Sequence, residues 1–346
     1  MKFDFRGRLE KLKKLAGESK ADALLLVASE GFDANSYYYS GDQTHPTIIV
    51  ATEKEATIFS LSYQKFGNLF EQSFALKDSR KKLLELLKKG KVKKLAIDDF
   101  SPSAGSGLRL AQKLKLEIIP FGEKLSEMRV LKEPSELECI RKACEITLKA
   151  LRETELQGFI GKTENQVAGM LEERARFWGG SLDAFPPMAL SGERTCLFHN
   201  STSNRKVAEG EVVLIDCGAR FNYYCADYTR SYYSGEEAVR GRKNKMAEAL
   251  QVVNQAKDAA SSKAKVGMTG KQLDQIALKV IEECGWGKFS HRVAGHGIGH
   301  FIGLNVHDGG NFYQTKLKKG MAFTIEPGIY VPGEFGVRAE DTVLLD

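Results

Sequence analysis

Four acidic residues in two matched pairs, with a histidine between the pairs, constrain this chain more than any other feature: Asp216 and Asp227, His300, then Glu326 and Glu340. Each pair brackets a turn signal. The run Val212-Val213-Leu214-Ile215-Asp216 is rich in β-formers, as is the stretch from Tyr223 to Tyr233, and the midpoint between the aspartates falls between Phe221 and Asn222, where asparagine tolerates a turn. Phe323-Thr324-Ile325-Glu326 and Gly336-Val337-Arg338-Ala339-Glu340 flank Pro332-Gly333, and their midpoint is Gly333 itself. The spacing predicts two β-hairpins, each with its acids directly opposed and roughly 5 Å apart at Cβ. Four carboxylates set in apolar runs cannot stay ionised together without cations, because burial disfavours each charge and like-charged neighbours force protonation. Two divalent ions cancel the four charges and leave a neutral site in which a water can serve as nucleophile. The pattern therefore reads as a two-metal site in an enzyme.

The histidines fall in the same region. Of the 6 in the chain, His199, His291, His296, His300 and His307 lie in the C-terminal stretch that holds the acids. The segment from Gly295 to His307 has too many glycines for a stable helix, so the i, i+4 spacing of His296 and His300 is not a helical zinc pair. An extended strand or loop is expected, with glycines admitting close backbone approach. The glycines do not fit the dinucleotide-binding fingerprint. A lone histidine is most often a satisfied core or surface group, which is the expectation for His45 and His291.

An internal repeat surrounds these residues. Thr163-x-x-Gln166 opens a helix that stops at Gly179-Gly180, and Thr269-x-x-Gln272 opens another that stops near Gly285; each is followed by a histidine segment and an acidic hairpin. Two such halves related by a pseudo-two-fold bring all four acids into one cleft. A further capping box, Ser135 with Glu138, is expected to open a helix with Leu137, Ile140, Cys144, Leu148 and Leu151 on its apolar face. Before it, residues 1–125 alternate helical patterns (Arg8 to Leu15, Arg80 to Leu87) with strand patterns (Ala23 to Val27, Thr47 to Ala51, Ala56 to Leu61, Leu95 to Ile97), an α/β layer domain. The chain of 346 residues is thus expected to form two domains, 1–125 and 126–346.

Composition narrows the class further. The first residues hold no secretory apolar region and no apolar run approaches a membrane span, so a soluble, cytoplasmic protein without membrane partners is expected. Six cysteines without CxxC spacing point to free, buried thiols. The net charge of +6 comes largely from lysine clusters such as Lys81-Lys82 and Lys88-Lys89, which mark a solvated face; aromatic interleaving is missing, which argues against nucleic acid.

The segments Leu214-Ile-Asp-Cys-Gly-Ala219, Ala226-Asp-Tyr-Thr-Arg230, His296-Gly-Ile-Gly-His300, Asn305-Val-His307, Ile325-Glu-Pro-Gly-Ile-Tyr330 and Val337-Arg-Ala-Glu-Asp341 resemble the pita-bread metallopeptidases, in particular the Xaa-Pro branch of aminopeptidase P and prolidase. Asn35-Ser-Tyr-Tyr-Tyr-Ser-Gly41 faintly resembles the family's N-terminal domain. The resemblance implies a creatinase/prolidase-like α/β domain followed by an α+β pita-bread domain with a pseudo-two-fold repeat, and a homodimer. It implies that Asp216 holds one metal ion, that Asp227 and Glu340 bridge two, and that His300 and Glu326 complete the second. Oxygen-rich ligation with one imidazole suits Mn, Co, Fe or Zn, with manganese favoured. His199 and His307 would stabilise the reacting carbonyl, Glu326 would carry the proton, and His296 would line the substrate pocket. Arg338 and Tyr330 would orient a metal carboxylate from behind. The implied reaction is hydrolysis of the bond before proline, at the N-terminus of a peptide or in a dipeptide.

Two departures from the family pattern stand out: Asn200 follows His199 in place of the commoner glycine, and His307-Asp308-Gly309 replaces a histidine-glutamate-proline turn. The chain ends six residues after Glu340, so a closing segment is expected to be missing or short. A methionine aminopeptidase shares the metal architecture but is usually shorter. A non-enzymatic pita-bread binding protein typically loses metal ligands.

Overall fold

The structure, a computed structural model, describes residues 2–29, 31–42, 46–66, 69–181, 184–234 and 245–346. His45 lies outside them, and with it the expectation for that histidine. The chain divides into two compact units, Met1–Arg129 and Val130–Asp346.

In the first unit, α1 (Phe5–Glu18) is capped by Asp4, whose Oδ1 accepts the Gly7 amide at 2.9 Å, and it buries Leu9, Leu12 and Ala16. Strand β1 (Ala23–Ala28), α2 (Ala34–Ser40), β2 (Thr47–Ala51), β3 (Ala56–Ser60), β4 (Gln72–Ala75), α3 (Ser79–Lys89), β5 (Lys94–Ile97), α4 (Ala104–Leu114), β6 (Glu117–Pro120) and α5 (Gly122–Glu127) follow. The strands form one mixed sheet in the order β4-β3-β2-β1-β5-β6, with β1, β5 and β6 parallel. Leu25, Phe59, Leu83, Leu87 and Ile97 fill one core of this unit. The sequence patterns of this region fall inside these elements except at Leu61, which lies just past the end of β3 and is exposed.

The second unit opens with α6 (Pro134–Leu156). Its cap lies two residues earlier than expected: Glu133 is the N-cap, Pro134 the first helical residue, and Glu136 closes the capping box. Proline at the first turn sacrifices no hydrogen bond and fixes the helical φ, which sets the start ahead of Ser135. Leu148, expected on the apolar face, is 40% exposed, whereas Leu137, Ile140, Cys144 and Leu151 are buried. Helices α7 (Glu164–Phe177), α8 (Lys245–Lys263) and α9 (Gly270–Glu283) follow, and both expected capping boxes, Thr163/Gln166 and Thr269/Gln272, are formed.

Between the helix pairs run β7 (Met188–Ser191), β8 (Glu211–Cys217), β9 (Arg220–Phe221), β10 (Tyr224–Cys225) and β11 (Tyr228–Ser234); β8 lies between β7 and β11. After α10 (His291–Ala294) come β12 (Met321–Ile325), β13 (Gly328–Val331), β14 (Phe335–Arg338) and β15 (Asp341–Leu345). Strands β12 to β15 are one long hairpin in a single register, from Met321 opposite Leu345 to Val331 opposite Phe335. The ladder is interrupted where Glu326 and Glu340 face each other, as their spacing predicted. In the first hairpin the register differs from expectation. Asp216 pairs with Thr229, and Tyr224 with Phe221, so Asp227 lies diagonally across from Asp216 rather than opposite it. The cause is the turn: Asn222 and Tyr223 both have positive φ, 48° and 71°, which makes them the two central residues of a type I′ hairpin turn. Its centre sits one residue later than the midpoint of the aspartates, and that moves the pairing by two. Both acids remain on one face of the sheet.

The two hairpins are joined through backbone amides of each that donate to a carbonyl or hydroxyl of the other. The Glu340 amide donates to the Thr229 carbonyl at 3.0 Å, the Arg338 amide to Ser231 Oγ at 3.0 Å, and the Asp227 amide to Thr342 Oγ1 at 3.0 Å. The glycine-rich histidine segment runs extended along β12, with Thr324 donating to the His300 carbonyl and Glu326 to that of Ile298, each at 2.8 Å. Gly299 permits this approach, since a Cβ there would collide with the Thr324 carbonyl.

Candidate metal centre

The hairpin junction brings Asp216, Asp227, His300, Glu326 and Glu340 to the floor of one cleft of about 980 Å³, whose walls include Phe185, His199, His296, His307, Tyr313 and Arg338. Asp227, His300 and Glu340 each offer a ligand atom within 4.8 Å of the others. His300 Nε2 lies 3.5 Å from Asp227 Oδ2 and 3.8 Å from Glu326 Oε1. Its Nδ1 is 3.2 Å from the Phe301 carbonyl; if Nδ1 carries the proton, that bond leaves Nε2 free as a donor of electrons to the cleft.

The acids are crowded at close to full burial: Asp216 is 9% exposed, Asp227 5% and Glu340 2%. Burial, and then the charges of Asp216 and Glu326, hold Asp227 well above the usual carboxylate range. Burial followed by Asp227 and Glu326 does the same to Glu340, and burial raises Glu326. Asp216 Oδ1 and Asp227 Oδ1 are buried without a hydrogen-bond partner. Buried oxygens of this kind need a cation or a proton. The donor set of four carboxylates and one imidazole fits divalent ions.

Arg338 backs the acids. It is 2% exposed and does not face solvent. Its Nη2 contacts Asp216 Oδ2 at 2.5 Å, Nη1 reaches the Tyr330 hydroxyl at 3.1 Å and the Phe198 carbonyl at 3.0 Å, and Nε donates to Thr229 Oγ1 at 2.9 Å. Thr229 in turn donates to Glu340 Oε2 at 2.7 Å. Sequence reasoning missed Thr229; once the register is known, its place opposite Asp216 singles it out. His296 Nε2 lies 3.0 Å from the Tyr330 hydroxyl and its Nδ1 3.8 Å from Glu326 Oε2. Burial, with Arg338 and His291 nearby, pushes its pKa down to about 3. The His307 ring packs 4.1 Å from that of His300, and its pKa falls to about 4, from the surrounding protein first and then from His300 and His199. His199 stands on the exposed side of the cleft beside Phe198. His291 is fully buried with Nε2 2.9 Å from Asp274 Oδ1, but its Nδ1 is buried without a hydrogen-bond partner, so the expected core histidine is satisfied at one ring nitrogen and not at the other. All six cysteines are free, but Cys284 is exposed and Cys196 half-buried, so burial does not extend to every thiol.

An acid cluster with one imidazole, carried on paired hairpins within a helix-hairpin repeat, defines a metal-dependent hydrolase. The model of metallopeptidase family M24 matches residues 138–346, and that of the creatinase/prolidase N-terminal domain matches residues 8–131. The chain belongs to metallopeptidase family M24. It is 33% identical to the Xaa-Pro dipeptidase of Pyrococcus furiosus, over 98% of this chain and 94% of that one. It is similar in structure to the X-Pro aminopeptidase from Thermotoga maritima MSB8, with a TM-score of 0.83 and 33% identity over 98% of this chain and 94% of that one. The prolidase from Pyrococcus horikoshii OT3 gives a TM-score of 0.84 and 31% identity over 98% and 95%. The expected fold class, an α/β N-terminal domain and a pita-bread C-terminal domain, is the one these relatives share. No helix among the described residues is long and apolar enough to cross a membrane.

Proposed function

We propose that this chain is a metallo-exopeptidase that hydrolyses the Xaa-Pro bond of dipeptides or of peptide N-termini. The observation that carries the reading is the set of four carboxylates and one imidazole on one cleft floor, with two aspartate oxygens buried and unpartnered. The names of its relatives supply the substrate class. In this reading Asp216, Asp227, His300, Glu326 and Glu340 are the residues that would hold the ions. Two divalent ions would supply Lewis acidity, acidifying the attacking water and polarising the scissile carbonyl. Manganese, a homodimeric state and a cytoplasmic location belong to the reading through the family resemblance. The N-terminal unit, Met1–Arg129, is read as non-catalytic.

The chain's own residues divide the remaining work. Water attacks the carbonyl carbon and Glu326, whose carboxylate lines the cleft, takes its proton and passes it to the leaving nitrogen. A proline nitrogen carries no hydrogen in the peptide bond, so it must receive that proton as the C–N bond breaks. His307, neutral at physiological pH because its pKa is lowered, keeps one N–H to donate to the developing oxyanion, and His199 faces the same cleft. His296 is fixed against Tyr330 and shapes the pocket wall beside Glu326.

Two experiments test this reading. Comparison of kcat/KM for Ala-Pro, Ala-Pro-Ala, Ala-Ala, Met-Ala-Ser and N-acetyl-Ala-Pro is expected to favour the proline substrates with a free amino group. Preference for Met-Ala-Ser would assign a methionine aminopeptidase instead, and equal rates on the acetylated peptide would remove amino-terminal anchoring. Among the histidines, His300→Ala is expected to lower metal content, whereas His199→Ala and His307→Ala should keep metal and lose roughly 10²- to 10³-fold in kcat. Metal loss on replacing His307, with retention on replacing His300, would invert the assignment.

A further inference from the structure

The loop that carries His199 runs from Ser191 to Arg205 with only a short 3-10 turn, Gly192–Cys196, inside it, and both Leu197 and His199 are exposed. A segment of this kind samples many conformations unless it is tied down. It is tied near both ends to a single carboxylate. Glu164, the first residue of α7, is 1% exposed. Its Oε1 accepts from the Ser191 amide at 2.8 Å and the Ser191 hydroxyl at 2.9 Å, and its Oε2 from the Ser203 hydroxyl at 2.6 Å. Arg194 Nε lies 3.2 and 3.1 Å from the two oxygens, and the same guanidinium donates from Nη2 to the Ser201 carbonyl at 2.6 Å. The backbone adds two bonds, from the Glu164 amide to the Arg205 carbonyl and from the Asn165 amide to the Ser203 carbonyl, each at 3.0 Å.

A second layer locks the same end of the loop. Arg205 donates to Ser191 Oγ at 2.6 Å and grips Glu211 with both terminal nitrogens, each at 2.6 Å. Gly192 is required there, because its φ is +59° and a Cβ would meet Arg205 Nη2 and Glu211 Oε2 at 2.6 Å. The far side of the loop is held by the hairpin, where Arg338 takes the Phe198 carbonyl and the Gly336 amide donates to Thr195 Oγ1 at 2.8 Å. The hairpin contacts reach Thr195 and Phe198; beyond His199 the Asn200 amide donates to Met188 Sδ at 3.3 Å, and the return to Ser203 is held by Glu164, Arg194 and the Asn165 amide.

We propose that Glu164 is a positioning residue for the reaction, acting through the ring of His199 rather than on substrate. The partners of its carboxylate, among the described residues, are Ser191, Arg194 and Ser203, which stand at the two ends of the His199 loop, so its effect on turnover is expected to run through that loop. The proposal rests on the catalytic reading of His199 given above. A residue that only caps α7 or stabilises the fold would change stability without this route.

The test is Glu164→Gln in the full-length metal-loaded enzyme, which keeps the size but sets the amide NH2 against the Arg194 guanidinium in either orientation, and against the Ser191 amide in one of them. With Ala-Pro, kcat is expected to fall roughly 10- to 100-fold, the loss that a displacement of about 1 Å in a catalytic group produces. Bound metal should match wild type, and amide hydrogen exchange should quicken across residues 191–203 while residues 212–217 stay protected. In a His199→Ala background the same substitution should add no more than about two-fold, because its route is already gone. Unchanged exchange in the loop, or losses that multiply in the double variant, would overturn the positioning role and leave His199 as read. A His199→Ala enzyme with near-native turnover would overturn the reading of His199, and the positioning role with it. If Glu164→Gln does not fold, Arg194→Met breaks the same tie from the other side and must show the same pattern.

Discussion

Replacing Glu340 with glutamine is expected to lower kcat/KM by on the order of 100-fold or more, and to lower the bound metal, without unfolding the protein. Glu340 sits in the interruption of the second hairpin, opposite Glu326, and accepts the Thr229 hydroxyl at 2.7 Å. Glutamine keeps that volume and can still accept from Thr229, but it removes a negative charge from the ligand set. The same lost charge has the opposite effect once metal is removed. Burial and the neighbouring Asp227 and Glu326 disfavour the ionised form of Glu340 in the metal-free protein, so a neutral amide there relieves repulsion. Chelated Glu340→Gln should therefore melt no lower than chelated wild type at about pH 8, although the loaded enzyme is far slower. Near-native rate and metal content in the variant would remove Glu340 from the centre, and a collapse of the chelated variant would mean its role is structural.

The centre was readable in the sequence to the extent that it depends on spacing along one strand pair. Glu326 and Glu340 face each other about Gly333 as counted, because the second hairpin runs in one register on both sides of its interruption. Asp216 and Asp227 were assigned to the correct hairpin but the wrong register, since a type I′ turn uses two left-handed residues and the sequence offered only Asn222 as an obvious one. Tyrosine at φ 71° is seldom chosen from propensity; the surrounding strands impose it. Contacts between halves were out of reach for a different reason. That Arg338 links Asp216, Tyr330, Thr229 and Phe198 depends on how two hairpins distant in sequence meet, and nothing local encodes it. Glu164 stood beside a capping threonine and looked like an ordinary first-turn acid; only the folded return of residues 191–203 shows what it holds.

Removal of metal should cost the protein more stability the higher the pH. In the metal-free state Asp227 and Glu340 are held well above the usual carboxylate range and Glu326 is raised. A carboxyl whose folded pKa exceeds its unfolded value, about 3.9 for Asp and 4.3 for Glu, contributes stability that is full below the unfolded pKa. That contribution is lost as pH rises through the folded pKa. Two histidines act in the other direction: His291 and His296, lowered by burial to about 4 and 3, contribute stability that is lost as pH falls below the ordinary imidazole value. Those histidine terms largely cancel when loaded and chelated protein are compared at the same pH. What survives is the release of protons from the acids on metal binding, which strengthens binding as pH rises. The difference in Tm between loaded and chelated protein should therefore widen between about pH 5 and about pH 8, reaching on the order of 5 °C at the upper end with metal well above its Kd. Chelated enzyme should also lose turnover and regain it when metal is returned. Full activity after chelation, or a Tm difference that does not change with pH, would show that the acids in this cleft are not neutralised by cations.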